Sequence, residues 1–294
     1  MRATLDGFEV ARARSLDDVL ARFAEGGWSA LAGGTDLMVT LGALALAPCR
    51  LVDVWAVPEL RGITVHDDVV VLGALTTYAE VQAHPLLVAE FPMLVEAARL
   101  SGAAAIQNRG TLGGNVANAS PAADSPPALL AYGAELELVS RAGRRRVPYR
   151  GFHTGYKASL RRADEIITAL VLPRPRAGTA PVQHYRKVGT RKAQAIAKVG
   201  LAFAMDLRDG VVHDVRLGLS SVAATPLFAE RTADCMRGRP LRAIIDEAAA
   251  TLADEVTPID DVRSTGAYRR RVAVNLLRDA LEAAAAGRAP VDSL

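Results

Sequence analysis

Two glycine-rich segments carry the residues best suited to hold a phosphorylated ligand. The first is Leu31-Ala32-Gly33-Gly34-Thr35-Asp36 and the second is Thr111-Leu112-Gly113-Gly114-Asn115. Glycine has no Cβ, so it adopts backbone angles closed to other residues and lets an anion approach, and consecutive N–H groups form an anion nest. In the first segment Gly33, Gly34 and Thr35 can offer successive amides and the Thr35 hydroxyl a further donor. Asp36 opens a helix whose dipole favours anions. A strand-to-helix turn with glycines serving sterics alone is the competing reading. The second segment belongs to the run Arg109–Asp124, rich in small side chains, amides and hydroxyls. Small side chains let a flat ring system lie against backbone, and Asn115, Ser120 and Asp124 suit ring or ribose edges. A surface loop could carry such residues too, yet a long stretch with no structure of its own is more often functional. Two such segments predict a ligand with two phosphates, or one long cofactor held from both sides. Neither a G-x-G-x-x-G after a strand nor a G-x-x-x-x-G-K-S/T occurs, so Rossmann and P-loop sites lose their main support.

The elements that must position these segments follow from capping and periodicity. Ser15 with Asp18 three residues on predicts a capped helix with Val19, Leu20 and Phe23 on its apolar face, ended by Gly26-Gly27. Trp28–Ala32 reads as a strand feeding the first segment and Asp36–Leu46 as a helix leaving it. Leu51–Val54, Val69–Leu75, Glu135–Ser140 and Ile166–Leu172 read as strands, Thr77–Gln82 and Pro92–Leu100 as helices. Pro173–Gly178 is the best linker candidate. Beyond it, Ile196–Leu207 and Val211–Leu219 flank Arg208-Asp209-Gly210, a strong hairpin signal. Leu241–Leu252 and Tyr268–Ala286 are amphipathic helices, so the last third reads as a hairpin layer covered by helices.

With 294 residues, 50% of them hydrophobic and 23% charged, the chain suits two globular domains. No apolar run reaches bilayer length and Met1–Asp6 has no apolar signal core, which predicts neither a membrane span nor export. Cys49 and Cys235 stand far apart, against a metal or iron–sulfur site on this chain and in favour of a reducing cytoplasm. Between Arg141 and Lys192 the chain holds 14 Lys/Arg and two acids, Asp164 and Glu165, against a net of −9 elsewhere. Aromatic residues are only 5%, with no interleaving for base stacking, so nucleic acid is not expected. An acidic cofactor or acidic partner surface fits the basic stretch better. Arg144-Arg145-Arg146 reads as a solvated hairpin tip. The five histidines, His66, His84, His153, His184 and His213, show no metal spacing and read as surface positions.

The two glycine segments together resemble the FAD-binding signatures of the flavoprotein subunit of molybdenum hydroxylases. That family includes xanthine dehydrogenase FAD-binding subunits and the medium subunit of aerobic carbon monoxide dehydrogenase. The likeness runs on through Ala119–Asp124, Asp164–Ile167, Tyr185–Ala197, Val222–Pro226 and Tyr268–Ala273, nearly the whole chain. It implies an α+β fold: a two-lobed FAD-binding domain of the vanillyl-alcohol-oxidase (PCMH) type, then a smaller α+β C-terminal domain. The first spans residues 1–177, with lobe one about 1–56 and lobe two about 57–177, and the second 178–294. FAD is then expected extended between the lobes. Leu31, Ala32, Gly33, Gly34, Thr35, Asp36 and Leu37 would hold its pyrophosphate. Gly110, Thr111, Gly113, Gly114, Asn115, Ser120 and Asp124 would line the rest, with Ile167 against it. Lys187 matches a family lysine near the flavin ring, where positive charge favours the anionic reduced state. Tyr185 matches a tyrosine that can cover one ring face. A solvated basic strand edge is the competing reading of these two, and no catalytic residue is expected beyond them.

The resemblance implies an electron-transfer subunit whose partners are an iron–sulfur small subunit with 2Fe–2S clusters and a molybdopterin large subunit. NAD or another acceptor would take the electrons. Val256–Ser264 leans the expectation toward a xanthine dehydrogenase-like complex. Two departures limit the likeness. Two isolated cysteines cannot hold the extra cluster of the 4-hydroxybenzoyl-CoA reductases. No histidine or cysteine lies between Ser29 and Thr40 for a covalent flavin link, so FAD is expected to be non-covalent. A free-standing FAD-dependent oxidoreductase with its own substrate pocket, and a non-catalytic nucleotide-binding assembly module, are the alternatives.

Overall fold

The computed structural model describes residues 7–42, 49–175, 181–191 and 194–288. At the N-terminal end, β1 (Glu9–Arg12), α1 (Leu16–Glu25), β2 (Trp28–Leu31), α2 (Thr35–Gly42) and β3 (Arg50–Asp53) form a small unit. Its three strands are parallel, in the order β1-β3-β2. The Asp18 amide donates to Ser15 Oγ and the Ser15 amide to the Asp18 carboxylate, the capping box that the spacing predicts. Gly26, at φ 75°, ends α1. The expected helix after the first glycine segment begins at Thr35, and its part beyond Gly42 lies outside the described residues.

β4 (Ile63–Val65) and β5 (Val69–Gly73) open a second, antiparallel sheet. The chain then runs through α3 (Tyr78–Ala83), α4 (Pro85–Glu90), α5 (Pro92–Leu100), α6 (Ala104–Gln107), α7 (Leu112–Ala117) and α8 (Ser125–Tyr132). It returns as β6 (Glu135–Ser140) and β7 (Gly143–Pro148), makes a separate hairpin of β8 (His153–Gly155) and β9 (Ala158–Ser159), and closes with β10 (Ile166–Pro173). The sheet order is β4-β5-β10-β6-β7. Strand alternation gives this sheet two apolar faces. Val70, Leu72, Leu136, Leu138 and Leu170 pack with Leu94 and Leu129 of the helices. Val139 and Ile166 pack on the other side with Phe23, Trp28 and Val52 of the N-terminal unit.

The last part is an antiparallel sheet of β11 (Val182–Val188), β12 (Val199–Arg208), β13 (Val211–Ser220) and β14 (Leu227–Phe228). It is covered by α9 (Glu230–Met236), α10 (Leu241–Glu255) and α11 (Gly266–Ala285). Asp209 at φ 50° and Gly210 at φ 76° make the tight turn expected from the Asp-Gly pair. Val199, Leu201, Phe203 and Met205 face α9–α11. The opposite face is built from small residues, Gly200, Ala202 and Gly218, and receives α8. A Cβ on Gly218 would stand 2.3 Å from the Pro127 carbonyl oxygen, so only glycine admits this approach. That fit brings β11 beside α8 and α5.

Three expectations change here. Arg144–Arg146 lie along the edge strand β7, with the tip at Arg141–Gly143. Arg145 is paired to the buried Glu165 at 2.6 Å, and Arg144 and Arg146 reach Glu137, so the triplet is tied down by acids on neighbouring elements. Pro173 completes β10 and Arg174 pairs with Glu90 at 2.6 Å, so the linker candidate starts inside structure. Its residues 176–178, with the 177/178 boundary, lie outside the described residues, as do Lys192 and Ala193. His153 is no surface position. It packs edge-on against Tyr149 and Phe152, and burial lowers its pKa to about 4. Among the described residues no helix is long and apolar enough to cross a membrane.

Candidate functional site

The first glycine segment is a turn between β2 and α2. Gly34 takes φ 78°, a conformation that costs an L-residue about 1–2 kcal/mol, and so directs the chain from strand into helix. The consequence is a run of available donors. The backbone N–H groups of Gly33, Gly34, Thr35, Asp36 and Leu37 have no acceptor among the described residues. The amides at the start of a helix point along its axis and carry the positive end of its dipole. Five successive amides there, with the Thr35 hydroxyl beside them, suit an extended anion such as a diphosphate.

The second glycine segment is not a loop. Gly113, Gly114 and Asn115 lie inside the six-residue helix α7, and its amides are engaged by the fold. The Leu112 amide donates to the Thr76 carbonyl and Gly113 to Ala74, both at 2.9 Å. The Gly114 amide donates to Thr111 Oγ1 at 3.1 Å and Asn115 to the Thr111 carbonyl at 2.9 Å. The anion nest expected here is therefore absent, and the glycines serve close packing. A Cβ on Gly113 would stand 2.6 Å from that of Ala74, and one on Gly110 2.8 Å from the Tyr78 ring.

The two segments touch backbone to backbone. A Cβ on Gly33 would stand 1.7 Å from the Arg109 carbonyl oxygen. Beside this contact, the guanidinium groups of Arg109 and Arg61 both lie over the Trp55 ring, 3.7 and 4.5 Å from its centre. The N-terminal unit and the central sheet are thereby pinned together on one side, leaving a cleft of about 390 Å³ between them.

Leu31, Ala32, Gly33, Gly34, Thr35, Asp36 and Leu37 line this cleft on one wall. Gly110, Thr111, Gly113, Gly114, Asn115 and Ile167 line the other. Ser120, Asp124, Tyr185 and Lys187 do not. Ser120 Oγ accepts from the Ala122 amide in a local turn. The remaining three form a cluster at the α8–β11 junction. Lys187 Nζ pairs with Asp124 Oδ2 at 2.7 Å and donates to the Leu100 carbonyl at 3.0 Å. Tyr185 donates to the Asp124 carbonyl at 2.9 Å, and Ser101 to the Asp124 carboxylate at 3.2 Å. Only 4% of the Lys187 side chain is exposed, which removes the reading as a solvated strand edge. Burial pushes the Asp124 carboxyl up, opposed by Lys187 and Ser101, and pushes the Tyr185 phenol well above its usual range. Cleft and cluster are joined through Asn115, whose side-chain oxygen accepts from the Ser125 hydroxyl, next to Asp124. Asp124 Oδ1 is buried with no hydrogen-bond partner among the described residues.

Sequence reasoning missed Asn118 and Arg161, which also line the cleft. Asn118 follows Asn115 by three residues, one turn along α7, a spacing that carries a signal once the segment is known to be helical. Arg161 sits among other cations and nothing local distinguishes it. Val256–Ser264 lies away from the cleft. Asp260 Oδ1 accepts from the Gly266 amide at 2.6 Å and Asp261 pairs with Arg269 at 2.7 Å, which gives the stretch a part in starting α11.

Comparison with known proteins adds the chemistry of the ligand. Residues 6–175 match the family described as the FAD binding domain in molybdopterin dehydrogenase, and residues 183–284 the CO dehydrogenase flavoprotein C-terminal domain. The carbon monoxide dehydrogenase medium chain of Hydrogenophaga pseudoflava is 32% identical, over 94% of this chain and 96% of that one. The xanthine dehydrogenase FAD-binding subunit of Escherichia coli O157:H7 is 30% identical, over 94% and 95%. In three dimensions, a chain of carbon monoxide dehydrogenase from Hydrogenophaga pseudoflava, solved lacking the Mo-pyranopterin moiety, superposes with a TM-score of 0.90. It is 31% identical and the match covers 95% of this chain and 97% of that one.

Proposed function

This chain belongs to the family of FAD-binding subunits of molybdenum hydroxylases, and from that premise we propose that it is the flavoprotein subunit of a xanthine dehydrogenase-like complex. Its partners on this reading are an iron–sulfur small subunit with 2Fe–2S clusters and a molybdopterin large subunit. Residues 1–177 then make the two-lobed FAD-binding domain, with lobes about 1–56 and 57–177, and residues 178–294 the C-terminal domain. Bound here, FAD supplies exchange between one-electron donors such as 2Fe–2S clusters and a two-electron acceptor such as NAD.

The observation that carries the reading is the run of free amides from Gly33 to Leu37 on the wall of a cleft between two pinned units. The residues present fit the cofactor. Five amides and the Thr35 hydroxyl can hold its diphosphate. Small residues on α7 leave room for a flat body against the other wall. The unpartnered Asp124 Oδ1 offers an acceptor farther along, beside the buried Lys187 ammonium, whose charge favours an electron-rich ring. Among the described residues no cysteine or histidine lines the cleft.

Purification of the complex from its native host tests this. Acid-releasable FAD should co-purify with molybdenum and iron. Anaerobic substrate should reduce the flavin in the complex, while the isolated chain's flavin responds to dithionite alone. Reduction of the isolated chain by an organic substrate would instead establish a free-standing oxidoreductase. A chain that binds no flavin would be an assembly module.

A further inference from the structure

Within residues 141–175 most cations already have acids. Arg144 and Arg146 are held by Glu137, Arg145 by Glu165, Arg150 by Glu230 and Arg174 by Glu90. Lys157 and Arg161, like Arg141 and Arg162, make no ion pair among the described residues; Arg161 lines the cleft, and Lys157, on the β8–β9 hairpin, reaches the cleft-lining Asn118. Lys157 stands at the hairpin tip at φ 56°, a left-handed conformation uncommon for a residue with a Cβ. Its ammonium donates to the Asn118 carbonyl at 2.8 Å and to the Asn118 side-chain oxygen, both acceptors belonging to the cleft-lining residue that caps the C-terminus of α7. Asp36, on the opposite wall, is near enough for its charge to favour the Lys157 ammonium against the opposing effect of desolvation. The tip therefore touches the α7 side of the cleft, with the Lys157 ammonium within electrostatic reach of Asp36.

Arg161 lines the cleft itself. Its Nη1 donates to the carbonyls of Glu165 at 2.7 Å and Arg162 at 3.0 Å, which fixes the guanidinium. Nε and Nη2 have no acceptor among the described residues. Solvent reaches the side chain, and desolvation lowers its pKa against the opposing charges of Glu165 and Asp164.

Two acids line the cleft, Asp36 and Glu165, and Glu165 is already paired with Arg145. The free amides of Gly33–Leu37 share their wall with the Asp36 carboxylate, whose charge opposes any anion placed there. A diphosphate brings two more negative charges into the same space. We propose that Lys157 and Arg161 are the counter-cations for the diphosphate of the dinucleotide, Lys157 offsetting Asp36 and Arg161 supplying positive charge to the cleft that the amides line. On this assignment the β8–β9 hairpin is a strap across the mouth of the cleft, held by Lys157 on Asn118. The proposal rests on the cleft being the FAD site.

The test uses the full-length chain stripped of flavin and titrated with FAD by fluorescence at NaCl concentrations from low to high. Lys157→Met and Arg161→Met should each weaken FAD binding about tenfold at low salt, and the difference from wild type should shrink as salt screens the charges. Arg161→Lys, which keeps the charge, should recover part of the loss. Tyr156→Ala, changing the exposed tip without a charge, should bind like wild type and so separates electrostatics from hairpin folding. Dissociation constants within twofold of wild type for both methionine variants, or a weakening that salt leaves unchanged, would overturn the assignment. Wild-type protein that binds no FAD would overturn the functional reading, and the strap with it.

Discussion

Gly33→Ala should leave the chain folded but almost free of flavin. A methyl group at this position would stand 1.7 Å from the Arg109 carbonyl oxygen, and neither backbone can yield locally. Gly33 belongs to the turn that aims the amides into the cleft. Arg109 is held by its guanidinium stacked over the Trp55 ring. The two units must separate by more than an ångström, at the roughly 1–3 kcal/mol typical of overpacking. Because the separation opens the wall that carries the amides, that cost falls on binding. FAD affinity should drop by about a hundredfold, each 1.4 kcal/mol being about tenfold. Gly34→Ala is the comparison. It has φ 78° but no atom closer than 3.5 Å to its added Cβ, so it should lose about tenfold through backbone strain alone. Flavin content after purification and FAD titration read both. Equal losses in the two variants would mean that the contact with Arg109 does not set the cleft.

Lys187→Met should destabilise the protein more than any surface change. It removes the ammonium from a pair in which Lys187 is 4% and Asp124 14% exposed, leaving a carboxylate that burial already disfavours. Breaking a buried pair from one side costs about 3–5 kcal/mol. The pH dependence has a defined sign. Without Lys187 the causes that raise the Asp124 pKa act with less opposition, so the folded state holds its proton to higher pH than the unfolded chain, whose Asp titrates near about 4. The penalty should therefore be smallest in acid and grow as pH rises through the Asp124 folded pKa. Pairing the change with Asp124→Asn should restore most of the stability, because no charge is then left buried. Urea unfolding at two pH values measures this. A loss under about 1 kcal/mol, the scale of an exposed pair, would contradict the burial of the cluster.

What was legible in the sequence was what local chemistry determines. The Ser15–Asp18 box, the Asp209–Gly210 turn, the alternating run of β6 and the continuous apolar runs of β5 and β10 each contain their own cause. The first glycine segment was legible for the same reason, since a strand, two glycines and a helix start are contiguous. The second was misread as an open loop because Leu-Gly-Gly-Asn has poor helix propensity. What makes it helical lies elsewhere: the carbonyls of Ala74 and Thr76 take its first amides. α8 went unrecognised because Pro126-Pro127 looks like a breaker, although proline is tolerated in a first helical turn. Arg144 and Arg146 are solvated as read, but the triplet's ion pairs were not legible because Glu137 lies on β6 and Glu165 just before β10. The burial of Lys187 likewise depends on α8 meeting the small-residue face of a distant sheet.

Hydrogen exchange on the flavin-free and FAD-loaded chain tests the central claim most directly, because the two glycine segments differ in what their amides do. Amides from Gly33 to Leu37 have no internal acceptor, so they should exchange fast without FAD and slow strongly when its diphosphate takes them. Those from Leu112 to Asn115 are already bonded within the fold and should be slow in both states. Protection that appears at 112–115 on loading, with 33–37 unchanged, would contradict the account.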